Sequence, residues 1–193
     1  SSDLNFGSAT DIMVPNANFV ERSLLSGLFR VGYNYKDRYY VDANARMDAS
    51  SKFAENKKSA FFPSIALAWR VSEEPFMRGI GALSNWKIRA SYGRTGSNPI
   101  KPYQSLALME PLRYNFNNQV VTGYYEENLA NDGLTWETTE QVNAGTDMSL
   151  FQSRVNLTVD AYYKKTYNLL QMVNLPASNG YATILDNFGQ VDN

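Results

Sequence analysis

Residues 24–48 read LLSGLFRVGYNYKDRYYVDANARMD, and the fold turns on how they alternate. From Tyr39 every second side chain is apolar or small (Tyr39, Val41, Ala43, Ala45, Met47), and those between (Tyr40, Asp42, Asn44, Arg46, Asp48) are nearly all charged or amide. A repeat of two is the signature of a strand with one apolar and one wet face. Residues 24–35 obey the same rule, with Leu25, Phe29, Val31, Tyr33 and Tyr35 opposed to Ser26, Arg30, Gly32 and Asn34. Lys36 and Asp37 join the arms, so a tight hairpin is expected. Each arm runs roughly 10 to 12 residues, the length a tilted strand needs to cross a bilayer and about twice a usual globular strand.

Composition narrows the function. The net charge of −1 offers no basic field for nucleic acid. Cysteine and histidine are both absent, which removes disulfides, thiolate zinc sites and the commonest general base. No phosphate loop, nucleophile elbow or metal-spaced cluster is present, so neither cofactor nor catalysis is expected. Glu73–Glu74 and Glu126–Glu127 are adjacent pairs, whereas a glycosidase sets its carboxyls about 5 to 9 Å apart across a cleft; solvated loop charges are the expectation for both. No stretch has the run of about 18 apolar residues of a membrane helix, and nothing at the N-terminus resembles a signal peptide. Strands that alternate between lipid and water escape such a search.

Further strands are expected at 61–70, 86–94, 136–150 and from 155, with another opening at 189–193. Ile65, Leu67 and Trp69, then Trp86, Ile88, Ala90 and Tyr92, then Val142, Ala144 and Met148, then Val155, Leu157, Val159, Ala161 and Tyr163 form their apolar faces. Residues 1–22, 49–59, 96–131 and 166–187 read as loops, and 72–85 as a connection with a short helical turn at Pro75. Within 96–131, residues 103–108 and 114–125 are the arms of a possible projecting hairpin. The long connections fall on one side of such a sheet and the short ones on the other, apart from 72–85. Tyr33, Tyr35, Tyr39, Trp69 and Trp86 stand on the apolar face at the short-turn end, where an interfacial girdle belongs.

An all-β, antiparallel transmembrane barrel wall of about six to eight strands accounts for these patterns. A soluble or surface-attached β-sandwich that binds glycans is the rival, but its strands usually run shorter; a barrel serving only as adhesin or scaffold is a third reading. A sheet of this size with open edges is expected to be part of a larger barrel.

Blocks of sequence add a specific resemblance. YNYKDRYYVDANARMDASSKF, FFPSIALAWRVSEEPFM, LSNWKIRASYGRTGSN with PYQSLAL, LTWETTEQVNAGTDMSLF, and VNLTVDAYYKKTYNLL with LPASNGYATILDNFGQVDN resemble, in order and from Leu24 onward, the SusC/RagA family of TonB-dependent outer-membrane transporters of Bacteroidetes. The resemblance implies a 22-stranded barrel of the family type, an internal plug, a SusD-like lipoprotein lid, and uptake of oligosaccharides or peptides energised through TonB. Against that pattern, residues 1–193 read as a partial barrel domain in which plug, TonB box and terminal strands are absent.

Two sets of candidate residues follow. Asp42, Asn44, Arg46, Asp48, Lys87, Arg89, Glu137, Gln141, Asn143, Asp147, Asn156, Asp160 and Lys164 are expected to line the lumen and meet a plug or substrate. Their mixed signs make no selectivity ring. Glu140 breaks the pattern by falling on the apolar face. Tyr103, Tyr114, Phe116, Tyr124, Tyr125, Trp136 and Tyr181 sit among Asn, Gln and Thr in the long loops. A ring beside amides suits a sugar, and suits equally the packing of loops or of a lid protein.

Overall fold

The computed structural model describes residues 20–77, 79–117 and 119–193, so residues 1–19 of the expected N-terminal loop lie outside it. In chain order come β1 (Leu24–Tyr35), β2 (Tyr39–Ser50), β3 (Ser59–Arg70), β4 (Leu83–Ser97), a hairpin of β5 (Met109–Phe116) and β6 (Gln119–Glu126), β7 (Glu137–Leu150), β8 (Val155–Tyr167), a hairpin of β9 (Leu170–Asn174) and β10 (Thr183–Asn187), and β11 (Gln190–Asp192). Seven of these make one antiparallel sheet in the order β1-β2-β3-β4-β7-β8-β11. Among the described residues it is a single layer, not a sandwich.

Three expectations need correction. The projecting hairpin exists, but its arms are Met109–Phe116 and Gln119–Glu126: 103–108 form no strand, and 114–125 takes in the end of the first arm as well as the second. Residues 166–187 are not all loop, because β9 and β10 pair from Leu170↔Asn187 to Thr183↔Asn174. Both hairpins escape a period-two search, the first because apolar side chains occur on both its faces, the second because its strands are only 5 residues long. The β1–β2 turn includes Arg38 as well, since Tyr35 pairs with Tyr39. Lys36 and Asp37 take φ near +54° and +53°, and Asn34 accepts the Asp37 amide at 3.1 Å. The β7–β8 turn holds Phe151, Gln152 and Ser153 in the same left-handed region.

The short connections 36–38 and 151–154 share one end of the sheet with 71–82, and everything long gathers at the other. The expected alternation holds across the registers. Val31↔Ala43↔Ile65↔Tyr92↔Val142↔Tyr163 forms one continuous apolar row. Two residues toward the long-loop end the row is still apolar on β1 and β2 (Phe29↔Ala45), yet on β4, β7 and β8 it has become Arg94↔Glu140↔Lys165. Toward the short-turn end the apolar positions of β7 and β8 run further, through Met148↔Leu157 and Leu150↔Val155. The apolar belt therefore drifts diagonally through the registers. Strands that tilt against a barrel axis produce this drift, because a belt of constant height then crosses the rows obliquely.

Burial distinguishes the faces at the long-loop end. Met47 and Phe61 on the apolar face are each 56% exposed, whereas their neighbours Asp48 and Phe62 on the other face are 4% and 5% exposed. The loops fold over the polar face and close on a cluster of Phe53, Phe62, Ile100, Leu134 and Trp136, against which Leu170 and Leu185 pack. Phe62 reaches that cluster because β3 and β4 part beyond Ser64↔Gly93. Pro63, with no N–H to donate, stands at the separation. The Phe62 ring then lies on Gly96, where any Cβ would collide with it.

Candidate functional site

At the long-loop end an open cavity of ≈ 490 Å³ lies between the loop at 101–108, the base of the β5–β6 hairpin and the β9–β10 hairpin. Side-chain amides assemble these walls. Asn128 donates to the Leu106 carbonyl at 2.8 Å and accepts the Leu108 amide at 3.0 Å; Asn131 donates to the Leu185 carbonyl at 2.9 Å. Asn187 accepts the Thr135 amide and donates to the carbonyls of Thr135 and Asn168, which fixes the β9–β10 hairpin on the segment leading into β7. Amides supply donor and acceptor together, so they can satisfy irregular backbone that a strand would pair.

The seven loop aromatics separate into four groups. Tyr125 and Tyr181 line the cavity, with the Tyr181 hydroxyl donating to Glu126 Oε2. That carboxylate beside it pushes the Tyr181 phenol above its ordinary pKa. Trp136 is a core residue, 4% exposed, with its indole donating to the Lys58 carbonyl and its ring against Phe53 and Phe62. Tyr114, Phe116 and Tyr124 are exposed on the projecting hairpin, away from the cavity, and the Tyr103 hydroxyl accepts the Glu21 amide. Lys101, Gln104, Glu126 and Asn128 are among the polar residues of the cavity wall. The sequence reading missed all four, having placed Glu126 among solvated charges. The offset of Glu126 from Tyr181 by 55 positions left no local signal.

On the polar face the expected residues form ladders from strand to strand. Arg30, absent from the expected set, donates to Asp42; Asn44 donates to Ser64; Arg46 bridges Asp48 at 2.8 Å with its guanidinium over the Phe62 ring. Arg89 reaches both Asp147 (2.8 Å) and Asp160 (3.0 Å), and Thr158 adds a bond to Asp147. Gln141 donates to Asn143, which donates to Ser91; Ser149 donates to Asn156. Lys87 stands over Tyr40, while Glu137 has turned to the loops and accepts the Leu170 amide. The backbone of Lys164 pairs with Asn193. Between these ladders the small residues Gly32, Ala66, Ala68 and Gly145 leave a trough of ≈ 490 Å³. Glu140 stays on the apolar face, with Arg94 at 3.4 Å and the Tyr167 hydroxyl at 3.0 Å.

The girdle residues stand at the short-turn end on the apolar face. Tyr39 stacks on Trp69 with centroids 6.4 Å apart, Tyr35 is next to Tyr39, Tyr33 lies one step further in, and the Trp86 indole donates to Thr146. Glu74 corrects the reading of Glu73–Glu74 as solvated charges: it is 7% exposed and accepts the Tyr39 hydroxyl and the Trp69 indole. These donors, with Arg38 adding to them, hold the Glu74 carboxyl below the ordinary glutamate range. A depressed carboxyl contributes stability above its unfolded pKa and loses it as pH falls through the folded value. In protein carrying 5-fluorotryptophan, the fluorine resonance of Trp69 is therefore expected to stay fixed through the pH at which free glutamate titrates and to move only below it. Movement at the free value would dissolve the contact.

Comparison with known proteins gives the family. The sequence profile described as "TonB dependent receptor-like, beta-barrel" matches residues 7–193. TonB-dependent receptor P39 of Formosa agariphila is 43% identical over 170 residues, 88% of this chain and 16% of that protein. TonB-dependent receptor P3 of the same organism is 39% identical over 191 residues, 99% and 19% of the two chains. TonB-dependent receptor SusC of Bacteroides thetaiotaomicron is 32% identical over 180 residues, 89% and 18%. The solved RagAB peptide importer in its closed-closed state superposes with a TM-score of 0.85 at 28% identity, over 100% of this chain and 21% of that one. The chain thus spans between 16% and 19% of the length of these curated relatives. With its antiparallel sheet, apolar on one face and bridged by polar ladders on the other, it belongs to the β-barrel family of TonB-dependent receptors.

Proposed function

We propose that the chain is part of the barrel wall of an outer-membrane importer of the SusC type, in which the polar face lines the lumen and the long loops face outside the cell. The parent protein takes up oligosaccharides or peptides, works with a SusD-like lipoprotein lid, and draws energy from TonB through a part of the protein beyond residues 1–193. Outer-membrane lipid covers the apolar face. The observation that supports this most is the contrast between faces: among the described residues no second layer covers Phe29, Val31, Leu67 and Val159, while the opposite face is bridged by charged and amide ladders. Uncovered apolar rows of this extent require a nonaqueous neighbour.

The cavity at Tyr125 and Tyr181 is the proposed point where an oligomer first touches this segment. A phenol, a carboxylate, a lysine and amides around an open channel fit the mixed apolar faces and polar edges of a sugar or peptide chain. The lumen ladders are proposed to meet a plug domain. Deletion of the parent gene is expected to abolish growth on one class of oligosaccharide or peptide, and loss of TonB is expected to reproduce that defect. Undiminished growth on every such oligomer, or release of the protein from membranes by salt without detergent, would overturn the assignment.

A further inference from the structure

Connection 71–82 is the longest at the short-turn end, and a barrel wall needs nothing of that length there. Two short 3₁₀ turns, Val71–Glu73 and Pro75–Met77, give it a defined shape. Its attachment is unusual. Glu74 Oε1 accepts the Tyr39 hydroxyl at 2.5 Å and the Trp69 indole at 3.1 Å, and Oε2 stands 3.5 Å from Arg38 Nη1. Tyr39 and Trp69 belong to the rows of Val41 and Leu67, so a carboxylate that reaches both rings approaches from the apolar side of the sheet. The connection is tied to the outside of the wall and not across the lumen.

Among the described residues, two large apolar side chains beside this tether stay largely uncovered. Phe76 is 65% exposed and Ile80 is 49% exposed, while Val71 at the root of the connection is 2% exposed. Phe76 follows Glu74 by two residues, so the tether of Glu74 to Tyr39 and Trp69 keeps it close to that end of the aromatic belt. Tyrosine and tryptophan mark the height at which headgroups give way to acyl chains, and an apolar side chain placed there gains by entering that boundary. A free carboxylate at this height would be repelled by anionic headgroups, but that of Glu74 is held by two donors and an arginine.

We propose that connection 71–82 is an interfacial anchor: Glu74 clamps it to the lipid-facing aromatics, and Phe76 and Ile80 insert into the phospholipid leaflet at the short-turn side of the membrane. The proposal rests on the barrel reading given above. It gives the connection a partner, the lipid surface, and a task, which is to fix the height and tilt of β3 and β4 at that interface.

Nitroxide labels test it in the full-length protein, freed of other reactive cysteines and reconstituted in phosphatidylethanolamine/phosphatidylglycerol vesicles. Labels at Phe76→Cys and Ile80→Cys are expected to collide with oxygen and to be shielded from a water-soluble nickel chelate, as a label at Leu67→Cys should be. A label at Lys36→Cys should meet the chelate freely. Adding Glu74→Ala is expected to abolish the shielding at position 76 and leave that at position 67 intact. Nickel exposure at both 76 and 80, with position 67 shielded, overturns the anchor alone. Shielding from both reagents, the mark of burial against protein, overturns it as well, as does shielding at 76 that survives Glu74→Ala. Nickel exposure at position 67 overturns the barrel reading and the anchor with it.

Discussion

Ile65→Arg is expected to cost the full-length protein about 2–4 kcal/mol, the penalty for a cation on the lipid face near the bilayer midplane. Ile65 lies in the apolar row Val31↔Ala43↔Ile65↔Tyr92, two rows in from the Tyr35↔Tyr39↔Trp69 girdle. At that depth an arginine cannot extend its head to water without deforming the bilayer. Ser64→Arg, one residue away, points to the polar face, where Ser64 accepts a bond from Asn44, and should leave assembly almost intact. The readout is the fraction of outer-membrane protein that stays folded, as a fast-migrating band, during graded heating before electrophoresis. Equal losses for the two variants would mean that the faces do not differ in solvent, and the barrel wall would have to be given up.

Trp136→Ala should be the second large effect, about 3–5 kcal/mol by the usual cost of emptying a large aromatic site in a core. Trp136 joins Phe53, Phe62, Ile100 and Leu134, and its indole holds the Lys58 carbonyl. Without it the segment leading into β7, the loop after β2 and the β9–β10 hairpin lose their common support. External protease on intact cells is then expected to cut within 98–108 and 127–136, and to spare both segments in the native protein. Tyr181→Phe removes only the hydroxyl bond to Glu126 and should leave the loops resistant while weakening uptake. A Trp136→Ala protein with intact loops would show that the cluster does not hold the external end together.

These two aromatics show where the sequence is silent. Tyr181 and Trp136 both stand among polar loop residues, and composition treats them alike. Only the fold separates them, because burial in a loop cluster depends on segments far apart in the chain: Trp136 meets a carbonyl 78 positions away. Glu74 is a parallel case, since an adjacent glutamate pair in a connection looks solvated until Tyr39 and Trp69 are brought to it. Arg89 also lacks a local cue, for Asp147 and Asp160 reach it only through the β4-β7-β8 register.

The strands themselves were legible, and for a physical reason. A strand between lipid and water is written residue by residue, since each side chain must suit the solvent on its own side, so alternation and strand length could be read without any partner in view. The sequence alone determined the barrel wall, its two faces, and which end carries long loops. What only the tertiary structure decided was the drift of the apolar belt, the true arms of the β5–β6 hairpin, the β9–β10 hairpin, the cavity between them and the clamp at Glu74. The hairpins are local pairs whose strands are too short or apolar on both faces for alternation to show, whereas the cavity and the clamp arise where segments apart in the chain meet, and a chain read in order carries no record of which of its loops will do so.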